Sequence, residues 1–136
     1  MLINVRRMSW AMPITMTWLE QPYIPAFVFS TRVTEEDIDA LGTLGLQIAE
    51  NRHVYPIIDF SSVNIMPRNL INTTLRARSL LAFIKHDNVR LFVFVAPDEQ
   101  TRYMIDTVFR NLPYKIAPTR DYALKLSQEE LSLETE

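Results

Sequence analysis

Residues 57–70 read IIDFSSVNIMPRNL, and the character of the chain changes within this stretch. Its first residues end the apolar run VYPIIDF (54–60), which has the length of a strand covered on both faces of a sheet. Its last residues lead into a helical pattern that runs from Pro67 to about Lys85. Junctions of this kind often carry function in α/β proteins. This one could be a catalytic elbow, a phosphorylation switch or a plain connection.

The hydrophobic period alternates between strand and helix on both sides of this junction. Further strands are predicted at 14–19, 26–31, 89–96 and 114–117. Further helices are predicted within 33–51, 97–112 and 119–133. The order β-β-α-β-α-β-α-β-α predicts an α/β fold with a mixed, mainly parallel sheet of four to five strands. An N-terminal hairpin and about four helices complete this prediction.

Several residues predict how the helices begin and pack. Thr34 and Thr119 are expected to be N-caps, and Pro97 is expected at the first position of its helix. The two glycines of the chain, Gly42 and Gly45, both lie inside the first helix. Because glycine weakens a helix, we expect these two positions to be kept small by close packing against the sheet.

Length and composition indicate one folded domain of 136 residues. We expect a flexible N-terminal extension at 1–12, a single domain at 13–132 and a short tail at 133–136. The net charge of −2 gives no general attraction to nucleic acid, and no apolar run approaches a membrane span, so stable membrane insertion is not expected. The absence of cysteine and of a signal-peptide pattern agrees with a cytoplasmic protein.

The residue types that would support catalysis, a cofactor or a metal are not assembled in the sequence. Both glycines are in a helix, so no glycine-rich phosphate loop can be formed. His53 and His86 have no second ligand at a useful spacing, and no metal or cofactor is expected. Ser61 and Ser62 lack the flanking glycines of a nucleophile elbow. Asp59 is expected to have a structural role, accepting backbone N–H groups of the following turn or pairing with an arginine. An enzyme is therefore not expected.

The opening stretch and the order of elements resemble the STAS superfamily, the domain of anti-sigma-factor antagonists and of the cytoplasmic tails of sulfate transporters. In that family a strand ending in (L/I)-D-(L/F)-S-x-V-x-x-(M/I)-D-(S/T)-S-G runs into a helix, and IIDFSSVNIM (57–66) is similar to its first part. LFVFVAP (91–97) and DYAL (121–124) look like later family elements, and VTEEDIDAL (33–41) resembles the SpoIIAA-like branch of bacterial proteins. The resemblance covers about residues 14–130.

The chain departs from the family where the partner kinase would phosphorylate a serine. MPRNL stands in place of M-D-S-S-G, so that Pro67 replaces the acid, Arg68 the first serine and Asn69 the phosphorylated serine. The resemblance therefore implies a regulatory binding domain, while the usual phosphorylation switch is not expected. Ser61, Ser62, Thr73 and Thr74 remain possible acceptors, but such hydroxyls more often bond locally.

We expect a surface at the junction to bind a regulatory protein, with homodimerisation open. This predicted contact surface consists of Ser61, Ser62, Asn64, Met66, Pro67, Arg68, Asn69, Asn72 and Thr73. Core packing is the competing role for Met66. The alternative function is a carrier or sensor of a small apolar ligand or a lipid surface. It is suggested by the aromatic residues Tyr23, Phe27, Phe29, Phe60, Phe83, Phe92, Phe94, Tyr103 and Phe109, which could equally fill the core.

Overall fold

The protein is an α/β domain built on one five-stranded sheet. The structure is a computed structural model that describes residues 14–63, 78–110 and 112–135, without the side chains of Val108 and Thr135. The strands are β1 (Ile14–Glu20), β2 (Ile24–Phe29), β3 (Ile57–Asp59), β4 (Phe92–Val95) and β5 (Tyr114–Ala117), in the sheet order β1-β2-β3-β4-β5. The described helices are α1 (Glu35–Ala49), α2 (Arg78–Ile84), α3 (Glu99–Val108) and α4 (Arg120–Thr135).

The strand directions match the expected mixed sheet. β1 is antiparallel to β2, and every later strand is parallel to the one before it. The predicted fold class, with an N-terminal hairpin and a mainly parallel sheet, is confirmed. The expected extension at 1–12 lies outside the described residues, and helix α4 continues through Thr135, into the segment assigned to a tail.

Strand β2 begins earlier than its sequence predicts. The turn at 21–23 is shorter than expected, and Ile24 and Pro25 already pair with β1, through Ile24↔Glu20 and Pro25↔Trp18. Both residues are buried, so packing outweighs the preference of Pro25 for a turn. The strand ends at Phe29 rather than Thr31.

Strand β3 is shorter than the apolar run that predicts it. Regular pairing covers only Ile57–Asp59, while Val54 forms an isolated bridge with Val89. Pro56 lies between the two paired segments and has no N–H to donate, although its carbonyl accepts from the Val93 N–H at 3.1 Å. The run is therefore buried along its length but paired in two pieces.

Helix α1 begins as predicted, but its glycines face a different neighbour. Thr34 caps the helix through a capping box with Asp37. A Cβ atom added at Gly42 would lie 2.3 Å from the backbone nitrogen of Leu80, and one at Gly45 would lie 2.3 Å from the ring of Phe83. Leu80 and Phe83 belong to α2, so the expectation that the glycines pack against the sheet was wrong. They allow two helices to approach each other closely.

The sheet separates two cores of different composition. On one face, helices α1, α2 and α3 cover a cluster that includes Phe27, Phe83 and Phe94. Successive ring pairs run through this cluster, with centroids 4.9–6.4 Å apart. On the other face, α4 packs through Ala123 on a smaller cluster that is aliphatic apart from Tyr55. The phenylalanines named above fill the first core, whereas Tyr23 and Tyr103 are exposed.

The last two helices show one confirmed cap and one correction. The Tyr122 N–H donates to the Thr119 hydroxyl at 3.2 Å, as expected for an N-cap. Helix α3 is capped by Asp98, whose carboxylate accepts from the Thr101 N–H at 2.7 Å. Pro97 therefore precedes the cap and does not occupy the first helical position. Of the helices in the described ranges, none combines the length and hydrophobicity needed to cross a membrane.

Candidate functional site

Asp59 organises the turn that follows strand β3. Its side chain is 1% exposed and lies at the carboxyl end of a central strand. Oδ1 accepts two hydrogen bonds from Ser61, one from the backbone N–H at 2.8 Å and one from the hydroxyl at 2.6 Å. The Val63 N–H then donates to the Phe60 carbonyl at 3.0 Å, which closes the turn. Asp59 therefore accepts hydrogen bonds from the turn that follows it.

The second carboxylate oxygen of Asp59 pairs with the first residue of helix α4. Nε and Nη2 of Arg120 both lie 2.9 Å from Oδ2. Asp59 thus both accepts from a backbone N–H group and pairs with an arginine. The ion pair offsets the cost of burying the carboxylate, since an unpaired buried charge is expensive. It also attaches the start of α4 to the turn after β3.

The partner Arg120 was not identified from the sequence. It is separated from Asp59 by 61 positions and lies just before the DYAL pattern at 121–124, which does not include it. The pairing of these two residues could nevertheless be predicted from the fold class. In a parallel sheet the carboxyl ends of the strands meet at one edge, so a basic residue directly after the N-cap Thr119 lies near an acid at the end of β3.

Ser61 and Ser62 are both exposed but differ in their hydrogen bonding. The Ser61 hydroxyl is engaged by Asp59, whereas Ser62 lines a shallow groove of about 270 Å³. The other residues lining that groove are Thr15, Val28, Phe29, Ser30 and Thr31, from the two strands of the hairpin and the segment after them. Among the described residues, four that carry a hydroxyl group and none that carries a charge line the groove.

Most of the predicted contact surface lies outside the described residues. This applies to Asn64, Met66, Pro67, Arg68, Asn69, Asn72 and Thr73. The structure brings Ser61 and Ser62 together with Asp59 and adds Arg120 to them. Their role in binding a partner stays a prediction.

At the junction, the described side chains of Asp59, Ser61 and Arg120 are bonded to one another. Both oxygens of Asp59 already accept hydrogen bonds, and the Ser61 hydroxyl donates to a carboxylate with no histidine or lysine among its bonded partners. His86 lies in another loop, where its Nδ1 accepts from the Asn88 N–H at 3.0 Å. Across the described ranges, no group of three histidines or acids is placed to hold a metal ion.

The apolar core offers little space for a ligand. The described residues of the aromatic core enclose a cavity of about 20 Å³, close to the volume of one water probe. Sites for small molecules are typically about 300–1,000 Å³. This volume does not favour the alternative of an apolar-ligand carrier, because the aromatic side chains fill the space that such a ligand would need.

Comparison with known proteins gives structural neighbours but no relative by sequence. No protein-family model and no curated protein matches the chain. An uncharacterised DUF3478-family protein with a SpoIIAA-like fold from Shewanella loihica PV-4 is 13% identical, with a TM-score of 0.58 over 83% of this chain and 90% of that chain. The anti-sigma factor antagonist SpoIIAA in its unphosphorylated form is 18% identical, with a TM-score of 0.53 over 85% and 97%.

A third neighbour extends the same pattern. An anti-sigma factor antagonist from Mycobacterium paratuberculosis is 15% identical, with a TM-score of 0.54 over 85% of this chain and 94% of that chain. At such low identity the likeness establishes the fold alone, and it agrees with the resemblance carried by residues 57–66. The chain has the SpoIIAA-like α/β fold.

Proposed function

We propose that this protein is a non-enzymatic regulatory domain of the cytoplasm that binds another regulatory protein. Its contact surface runs from Ser61 to Thr73, over the turn after β3 and the first turns of the helix predicted there. The observation that carries the proposal is the geometry of Asp59. This buried carboxylate holds the exposed serine turn from one side and α4 from the other. A preorganised turn lowers the entropy cost of binding a partner.

The likeness to anti-sigma factor antagonists supports this class of function. It suggests a protein partner, and the site contains no assembled nucleophile, base or metal ligand among its described residues that would favour catalysis instead. The proposed partner is therefore a regulatory protein.

We do not expect control by phosphorylation at the position where the family has its serine. Asn69 stands where the family has its phosphorylated serine and has no hydroxyl to accept a phosphoryl group. The hydroxyl of Ser61, in the turn after β3, donates to Asp59 at 2.6 Å. A phosphate on Ser61 would place about two negative charges beside that buried carboxylate. We therefore expect the partner to bind without a phosphorylation step at either residue.

The test is a pull-down from the native organism with the purified domain as bait, followed by mass spectrometry. Arg68→Glu and Ser62→Lys change the proposed surface, while Arg52→Glu makes the same charge reversal as the first variant. Arg52 is exposed and lies before β3, at the opposite end of that strand. We expect the two surface variants to lose the captured protein about tenfold or more, and Arg52→Glu to retain it.

Circular dichroism and urea unfolding of each variant show whether the domain stays folded. If the wild type and all three variants capture the protein equally, the surface at Ser61–Thr73 does not bind it. Turnover of a substrate by the domain would contradict its assignment as a non-enzyme.

A further inference from the structure

The two edge strands of the sheet differ in how well they are protected against pairing. β5 is one edge, with four residues and the exposed Lys115 within it. β1 is the other edge, with seven residues, ITMTWLE, and no lysine, arginine or proline. Proteins usually protect an exposed edge by keeping it short or by adding lysine or proline. β5 shows this protection, whereas β1 lacks it over the regularly paired residues 14–18.

The direction of the free backbone groups of β1 follows from the hydrogen bonds of β2. The Tyr55 N–H donates to the carbonyl of Tyr23 at 2.8 Å. Main-chain groups alternate in direction along a strand, so those of the odd-numbered residues of the adjoining β2 point towards β3. The main-chain groups of Ala26 and Val28 therefore point towards β1, where these residues are opposite Thr17 and Thr15. Both main-chain groups of a residue in an antiparallel strand point to the same side. The N–H and C=O groups of Ile14, Met16 and Trp18 therefore point away from the sheet.

These three outward-facing residues have no strand partner in the part of the chain that the structure describes. They precede the irregularity between Trp18 and Glu20, so their edge is regular. The side chains of Thr15 and Thr17 are exposed on one face, and those of Met16 and Trp18 are half-buried on the other. Threonine, isoleucine and tryptophan all favour strands. An edge with these properties is ready to accept another strand.

We propose that strand β1 pairs with β1 of a second copy of this protein, antiparallel and centred on Met16. Two-fold symmetry then places Ile14 opposite Trp18 of the partner subunit and Met16 opposite the partner's Met16. All outward N–H and C=O groups of the three residues are paired, which gives a continuous ten-stranded sheet. This follows from five strands in each copy.

The sequence of β1 favours a second copy over an unrelated strand. The centre on Met16 places Thr15 opposite Thr17 of the partner subunit, a pair of exposed β-branched residues that stabilises neighbouring strands. The acid Glu20 falls outside the paired segment, so no like charges meet. An isologous contact of this kind closes at two copies and does not propagate into a fibre. The proposal is independent of the proposed function.

The oligomeric state tests this interface. Sedimentation equilibrium of the 136-residue chain should give twice the chain mass of 15.9 kDa. Met16→Pro removes the outward N–H without removing a hydrogen bond between β1 and β2, because Met16 donates away from β2. Two hydrogen bonds are lost by symmetry, and dimerisation should weaken about tenfold or more. Met16→Val keeps the N–H and should remain dimeric.

Cysteine cross-linking tests the register and does not depend on the proline variant folding. The natural chain has no cysteine. Thr15 and the partner's Thr17 form a non-hydrogen-bonded pair in the proposed register, with Cα atoms about 4.5 Å apart, within reach of a disulfide. A mixture of Thr15→Cys and Thr17→Cys proteins should therefore form a covalent heterodimer under mild oxidation. Neither variant alone should cross-link efficiently.

Three results would overturn the proposal. One is a wild-type chain that stays monomeric up to its solubility limit. Another is a folded Met16→Pro protein that dimerises as tightly as the wild type. The third is a mixture of cysteine variants that cross-links no better than each variant alone. In each case the pull-down result for the surface at Ser61–Thr73 is unaffected, so the two proposals fail separately.

Discussion

The pairing of Asp59 with Arg120 can be tested by removing the positive charge while keeping most of the side chain. Arg120→Met retains an unbranched stem of similar packing but has no group to pair with the carboxylate. Asp59, which is 1% exposed in the wild type, would then accept hydrogen bonds from Ser61 alone. Its negative charge would lose its counter-charge at the carboxyl end of the central strand.

The size of the effect follows from the burial of the two partners. Removing one partner of a fully buried ion pair typically costs about 3–5 kcal/mol. Here the Arg120 side chain is 43% exposed, so water can screen and partly replace it. We therefore expect Arg120→Met to lower the free energy of unfolding by about 2 kcal/mol. With a typical urea slope, the unfolding midpoint falls by about 1 M.

Arg90→Met is a matched control. The Arg90 side chain is also 43% exposed, and its Nε lies 2.7 Å from Oε1 of Glu134. Glu134 is 25% exposed, whereas Asp59 is 1% exposed. The two arginines therefore differ chiefly in the burial of their partners, and Arg90→Met should cost less than about 1 kcal/mol.

A double variant separates the charge from the packing. In Asp59→Asn/Arg120→Met the neutral amide oxygen can still accept from the Ser61 N–H, and no charge is buried. The double variant should be about 1 kcal/mol more stable than Arg120→Met alone. Equal losses in Arg120→Met and Arg90→Met, or additive effects of the two substitutions, would refute the reasoning.

Two further predictions concern helix α1. Gly45→Ala should lower stability by about 1–3 kcal/mol, because its methyl group would meet the Phe83 ring, and Gly42→Ala should cost more, because it would meet backbone. Thr43→Ala, at an exposed position of the same helix, should cost nothing in thermal unfolding. Burial raises the pKa of Asp37, so its ionisation weakens the fold as pH rises above 3.8. Asp37→Asn should therefore gain stability relative to wild type as the pH rises above about 4 in urea titrations, and a difference that stays constant with pH would contradict this.

The order of elements was predictable because it depends on local patterns. The strand and helix periods, the cap at Thr34 and the cap at Thr119 all involve residues within a few positions of each other. The errors in the strand bounds occur at two prolines. Pro25 is paired within β2, whereas Pro56 interrupts the pairing before β3, and the difference depends on burial that only neighbouring elements provide.

The candidate site was predictable in part. The sequence indicated that Asp59 would bond to the following turn, because Asp and Ser two residues apart commonly do so. It did not indicate which arginine would complete the pair, since any of several basic residues was possible. It also placed Gly42 and Gly45 against the wrong neighbour, because a need for small residues does not specify what approaches them.

The alternation of strands and helices, the lack of a hydroxyl at Asn69 and the absence of a glycine-rich loop can all be read from the amino-acid order. The contact of Arg120 with Asp59, the packing of α2 against the glycines of α1 and the position of β1 at the edge of the sheet are visible only in the folded chain. The difference lies in sequence separation. Periodicity and capping act over a few residues, whereas ion pairs, close helix contacts and strand edges depend on which distant segments the crossovers bring together.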